Sequence, residues 1–190
     1  MSPEVAALVR SIGHLAGRLI RPRNIDAAHR IPTEVLRGLA ELGVFGVTLP
    51  TAFGGSGLGI ADATEVVTAL AQADRSVATT VGLHLGLGTR GLVTLGTPGQ
   101  QARWLPALAA GDALAAFATT EPNAGSDLSA LECVARPHPS GGFALSGTKL
   151  YVTNGALCSL VTVTAATPGL GGASRGLSLF LVEPSTPGVG

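Results

Sequence analysis

The apolar periodicity of this chain changes once, near residue 113, and that change constrains its folding more than any other feature. Before it, apolar residues recur at steps of three and four, the spacing of helices with one buried face. After it, short β-rich runs alternate with Gly, Pro and Ser turns. This predicts an N-terminal all-α bundle over residues 1–113, followed by a β domain over residues 114–190. Charge does not mark the boundary: residues 1–113 hold nine Arg and eight acids, and residues 114–190 three basic residues and four acids.

Composition removes several classes of function. Charged residues make up 13% of the chain and hydrophobic residues 46%, which excludes a disordered polymer. The balanced charge leaves no electrostatic footprint for nucleic acid. Two cysteines are not a disulfide scaffold. The charge-free stretches contain Pro and several Gly, so no membrane span is expected. The N-terminus lacks the order of a secretory signal, and Glu4 argues against a transit peptide, so a cytoplasmic location is expected.

Four or five helices are predicted. Ser2 caps the first, with Pro3 at its first position and Val5, Leu8, Val9, Ile12, Leu15 and Leu19 on one face. The second runs from Thr33 to Leu42 and stops at Gly43. The third starts near Asp62, which forms a capping box with Glu65. The fourth, Ser76–Leu95, carries no charge between Arg75 and Arg90 and should be buried on all sides. The fifth begins at the Thr97, Pro98, Gln100 capping box and ends near Gly111. The glycine-rich run VFGVTLPTAFGGSGLG is either an ordered surface loop or the lining of a cleft, and the surface loop is preferred. It is not a P-loop, because no Gly-Lys-Ser/Thr follows.

In the β part, strands are predicted at Leu114–Thr120, Glu132–Pro137, Phe143–Ser146, Leu150–Thr153, Ser159–Ala165 and Leu177–Val182, short and evenly spaced as in a small barrel or sandwich. Metal and nucleophile motifs are absent: the four histidines show no ligand spacing, and neither G-x-S-x-G nor H-E-x-x-H occurs. His84 reads as a core histidine, and Cys133 and Cys158 as reduced thiols. Gly82, Gly86 and Gly88 either leave room for a ligand chain or permit close helix packing, and packing is preferred. Lys149, the single lysine of the chain, reads as a solvated charge at a strand end.

One stretch carries more chemistry: Phe117-Ala-Thr-Thr-Glu-Pro-Asn-Ala-Gly-Ser-Asp127 leaves a strand and enters a turn rich in hydroxyls. Thr119, Thr120, Ser126 and free backbone amides can donate hydrogen bonds to a polar ring or a phosphate. Some twenty residues on, Tyr151 and Thr153 alternate on a predicted strand and so share a face. Donors beside an aromatic plane suit a flat heteroaromatic ligand, but ordinary turn chemistry accounts for the same residues.

FATTEPNAGSD followed by SGTKLYVTNG resembles the two signature segments of the acyl-CoA dehydrogenase family. The upstream segments ELGVFGVTLPTAFGGSGLG, DRSVATTVGLHLGLG and LGTPGQQARWLPALAAGDALAAFATTEP resemble the family's N-terminal helical domain and its junction with the middle domain. The resemblance implies an α+β chain: a helical bundle domain followed by an incomplete antiparallel β-barrel. It implies non-covalent FAD and α,β-dehydrogenation of an acyl thioester, carried on CoA or on an acyl-carrier protein. In that chemistry a glutamate removes the α-proton, the β-hydrogen leaves as hydride to flavin N5, and an electron-transfer flavoprotein takes the electrons.

Carried over by position, Phe117, Thr119 and Thr120 would run along the isoalloxazine ring. Ser126 would lie near the FAD pyrophosphate and the pantetheine arm of the substrate. Tyr151, Val152 and Thr153 would border the ring, with Tyr151 where the family usually has tryptophan. Glu121 looks structural within this motif, and no residue here takes the base role. The base is expected in the family's C-terminal domain, supplied by a complementary C-terminal half or partner subunit. Unpaired barrel edges make an oligomer the expectation. Two rival readings share the fold: a non-catalytic assembly subunit, and an acyl-CoA oxidase or flavin monooxygenase.

Overall fold

A computed structural model describes residues 2–169 and 176–190. The chain forms two compact units, residues 1–115 and 116–190. The first contains helices α1 (Pro3–Leu19), α2 (Pro22–Ala28), α3 (Thr33–Glu41), α4 (Ile60–Ala73), α5 (Arg75–Leu83), α6 (Thr89–Leu95) and α7 (Pro98–Ala110). Strands β1 (Ala115–Ala118), β2 (Val134–Pro137), β3 (Phe143–Ser146), β4 (Leu160–Thr167) and β5 (Gly176–Val182) follow. Among the described residues no helix is long and apolar enough to cross a membrane.

The helical core follows the spacing of apolar residues. Ile12 and Leu15 of α1, Val35 and Leu39 of α3, Val66 and Leu70 of α4, and Val77 and Val81 of α5 share one buried cluster with Phe45. The first helix begins as its sequence requires, with Ser2 Oγ accepting the Val5 N–H at 3.2 Å. The α7 capping box is complete: Thr97 Oγ1 accepts the Gln100 N–H and Gln100 Oε1 accepts the Thr97 N–H. Thr97→Ala is expected to cost about 1 kcal/mol, read as a fall of about 2–4 °C in the thermal midpoint. An unchanged midpoint would show that tertiary packing alone sets the start of α7.

Three helical expectations are corrected. Helix α4 starts at Ile60 behind Gly59, with no side-chain cap, so Asp62 lies inside the first turn and makes no capping box with Glu65. Its charge there still favours the helix dipole. The fourth predicted helix is broken. It begins at Arg75, capped by Asp74 Oδ1 on the Val77 N–H, and opens into a π turn at His84–Gly88, where Gly86 leaves helical geometry. The released carbonyls are met by hydroxyls: Thr89 Oγ1 donates to His84 O at 2.8 Å and Thr48 Oγ1 to Leu85 O at 3.0 Å. Nor is the run buried on all sides, since Leu87 and Leu95 are exposed. Helix α2 was not expected: it is short, and only Ile25 is buried, too little to make a period.

The glycine-rich run between α3 and α4 is an ordered loop with two 3-10 turns, Val44–Gly46 and Thr51–Phe53. Its backbone closes on itself through Ser56 N–H to Gly46 O and Gly57 N–H to Leu49 O. Gly55 lies directly against Leu49 O, where any Cβ would collide.

In the second unit the sheet order is β1-β4-β2-β3, with β5 on β4. β2–β3 and β4–β5 are antiparallel, whereas β2 runs parallel to β4 through Val134 and Ala166. Cys133, Ala135 and Ala165 form its small core, with Leu145 and Phe180 packed against them. Among the described residues β5 pairs only with β4, and its Leu177 and Leu179 are exposed.

Candidate functional site

The two chemistry-bearing segments of the sequence meet in the second unit. β1 delivers Phe117 half-buried, and the chain then leaves the sheet through Thr119 and Thr120, also half-buried. The backbone carbonyls of both threonines are taken: Thr119 O accepts from Lys149 Nζ at 3.1 Å and Thr120 O from the Leu150 N–H at 2.8 Å. Their hydroxyls have no hydrogen-bond partner among the described residues. The backbone is therefore committed while the side-chain donors stay available to a ligand. Ser126 is exposed at the tip of the loop that follows, and Asp127 Oδ1 accepts the Ser129 N–H at 2.9 Å to start a 3-10 turn.

A buried ion pair closes this loop. Lys149 Nζ stands 2.6 Å from Glu121 Oε1, with side chains 10% and 3% exposed. Glu121 also accepts the Glu132 N–H at 2.6 Å and the Cys133 N–H at 3.0 Å. Burial pushes the carboxyl pKa up, but the Lys149 and backbone donors outweigh it and hold it below the ordinary value. Lys149 is thus no solvated strand-end charge. Glu121 has the structural place expected of it: buried, paired with Lys149 and with donors on both oxygens, its carboxylate is held in the protonation state and position of a tie rather than of a base. Gly147, at φ +154°, packs against Cys133, where a Cβ would stand 2.7 Å from Cys133 Cα.

Tyr151 and Thr153 do not lie on a strand. Tyr151 (φ 55°) and Asn154 (φ 66°) are left-handed, and turn bonds from Gly155 N–H to Val152 O and from Cys158 N–H to Asn154 O replace any ladder. Alternation along a strand therefore does not put them on one face. Tyr151 is 89% exposed, while Val152 and Thr153 are half-buried. A bulky residue in a left-handed conformation costs of order 1–3 kcal/mol, which singles the turn out as a functional candidate.

In the first unit, His84 is fully buried, with Nδ1 accepting the Ala115 N–H at 3.1 Å. This tautomer places the ring proton on Nε2, which has no hydrogen-bond partner of normal geometry. Burial lowers the pKa to about 4, and the backbone of Phe45 and Leu108 offsets only part of that effect. The Phe45 ring packs edge-on at 5.2 Å. The packing preferred for the fourth-helix glycines holds for Gly88, whose Cβ would stand 3.0 Å from that of Ala115, but not for Gly86, which has open space, or Gly82, which has only ordinary contacts.

A helical bundle followed by a sheet unit defines a two-unit α+β chain. Residues 2–112 match the acyl-CoA dehydrogenase N-terminal domain, and residues 116–190 match the acyl-CoA dehydrogenase middle domain. The chain belongs to the acyl-CoA dehydrogenase family. It is 36% identical over 173 residues to the very long-chain specific acyl-CoA dehydrogenase of Mus musculus mitochondria, covering 88% of this chain and 26% of that protein. Butyryl-CoA dehydrogenase from Megasphaera elsdenii superposes with a TM-score of 0.89 at 27% identity, over 99% of this chain and 50% of that one. An acyl-CoA dehydrogenase of Bacillus anthracis in complex with FAD gives a TM-score of 0.85 at 28% identity, over 99% of this chain and 32% of that one. The chain spans about a quarter of the length of the curated relatives it matches.

Proposed function

We propose that this chain forms the N-terminal and middle-domain part of an FAD-dependent acyl-CoA dehydrogenase-like enzyme acting on acyl thioesters. The observation that carries the reading is the pair of threonines whose carbonyls are tied back while their hydroxyls remain available. Phe117, Thr119 and Thr120 would line a flavin ring, Tyr151, Val152 and Thr153 would border it, and Ser126 would meet phosphate oxygens. These residues bind and orient; none is placed to take the substrate α-proton. FAD, when bound, supplies the hydride acceptor.

The base and the remainder of the site belong to a complementary C-terminal half, carried on the same polypeptide or on a partner. Among the described residues β5 pairs only with β4, and with Leu177 and Leu179 exposed this edge supports association there. An electron-transfer flavoprotein is the proposed electron acceptor.

The test is a visible flavin spectrum. Protein purified with FAD and a complementary C-terminal half is expected to be yellow and to bleach when an acyl thioester is added without oxygen. A preparation that stays colourless with FAD and every complementary half supplied would overturn the enzyme reading in favour of an assembly subunit. Rapid peroxide formation during turnover would reassign the chemistry to an oxidase.

A further inference from the structure

The buried pair of Glu121 and Lys149 is hard to explain as a source of stability. Removing two charges from water costs several kcal/mol per ion, and apolar residues of similar volume commonly do as well. What the pair does here is geometric. Its two side chains join three separate segments: the chain leaving β1 at Thr119 O, the amides of Glu132 and Cys133 at the approach to β2, and the stretch that carries Lys149 and Leu150. The Leu150 N–H bond to Thr120 O adds a second tie beside the first. The loop between Glu121 and Glu132, which carries Ser126, is closed at its base by the same carboxylate. Its neck is also pinned by paired backbone bonds between Glu121 and Ala124.

We propose that Glu121 and Lys149 are positioning residues for cofactor binding: their buried pair fixes the register of Thr119 and Thr120 and the mouth of the 122–131 loop, so that hydroxyls and loop amides meet the ligand already oriented. The inference rests on the flavin reading. Preorganisation of this kind raises affinity by removing the cost of ordering the loop on binding. A carboxylate with donors on both oxygens and an ammonium shared between a carboxylate and a carbonyl hold direction as well as distance. Glutamine at 121 would turn an amide N–H toward a backbone N–H, and methionine at 149 would release Thr119 O.

The experiment uses the flavin-loaded assembly of the preceding section and compares wild type with E121Q, K149M and the double variant. FAD affinity is read by flavin fluorescence and fold by the thermal midpoint. Each single variant is expected to bind FAD about tenfold more weakly, the effect of losing one charge-assisted hydrogen bond. The double variant, which buries no charge, is expected to regain the thermal midpoint but not the affinity. Recovery of affinity together with the midpoint would reduce the pair to a fold element and overturn the proposal. If the double variant does not fold, K149R keeps the charge and displaces the donor from Thr119 O: weaker FAD at an unchanged midpoint supports the proposal, and unchanged affinity overturns it. A wild-type assembly that takes up no FAD overturns the flavin reading, and this inference with it.

Discussion

Lys149→Met is expected to destabilise the chain by about 3 kcal/mol at neutral pH, the scale of leaving a buried charge without its partner. Glu121 then keeps the amides of Glu132 and Cys133 but loses its ion-pair partner. The pH dependence identifies the cause. In the wild type the carboxyl titrates below its ordinary value of 4.5. Its stabilising contribution is therefore full above 4.5 and is lost as pH falls through the lower folded value. In Lys149→Met, burial acts with less opposition, the carboxyl takes up its proton at a higher pH, and the deficit relative to wild type should shrink on acidification. Chemical denaturation of both proteins across that range measures the difference. A deficit constant with pH would mean that the lost packing of the lysine stem, not the charge, accounts for the effect.

Acid should also weaken the first unit through His84. The folded value of about 4 lies below the ordinary 6.5, so the unfolded chain binds the proton first. Stability is full above 6.5 and declines as pH falls toward 4, by about 3 kcal/mol for a shift of this size. Protonation also turns Nδ1 from acceptor to donor and breaks its bond from the Ala115 N–H. His84→Asn keeps an acceptor near that position and cannot titrate. Its unfolding free energy should be lower at neutral pH and flatter with pH. A variant as acid-sensitive as the wild type would place the proton uptake on another group.

Much of the fold was legible because it follows from local chemistry. Ser2 with Pro3, the Thr97 capping box and Gly111 mark helix ends whose partners lie within a few residues. The Phe143–Ser146 strand was readable because turn residues bound it. The misreadings share one cause. Gly86 breaks a helix that apolar content alone runs through, and the break is sustained by Thr48, distant in sequence. Tyr151 lies in a run that reads as a strand, but its backbone is left-handed and leads into a turn held by Val152, Asn154 and Cys158. In the site, the threonines and Ser126 stood out by residue type. Lys149 did not, because a lone lysine beside apolar residues has the pattern of a surface charge. Only its being the single lysine among eleven arginines marked it.

The sequence by itself determined the order of a helical bundle and a β unit, the ends of α1 and α7, and the two segments whose residue types make them candidates for ligand binding. Those properties depend on periodicity and on contacts within a turn or two, which a linear string displays. Only the tertiary structure decided that Glu121 and Lys149 are a buried pair, that the carbonyls of Thr119 and Thr120 are occupied while their hydroxyls have no partner among the described residues, and that Tyr151 has a left-handed backbone just before a turn. The Glu121–Lys149 contact joins residues 28 positions apart, and the burial that makes it matter is set by the packed sheet unit around it.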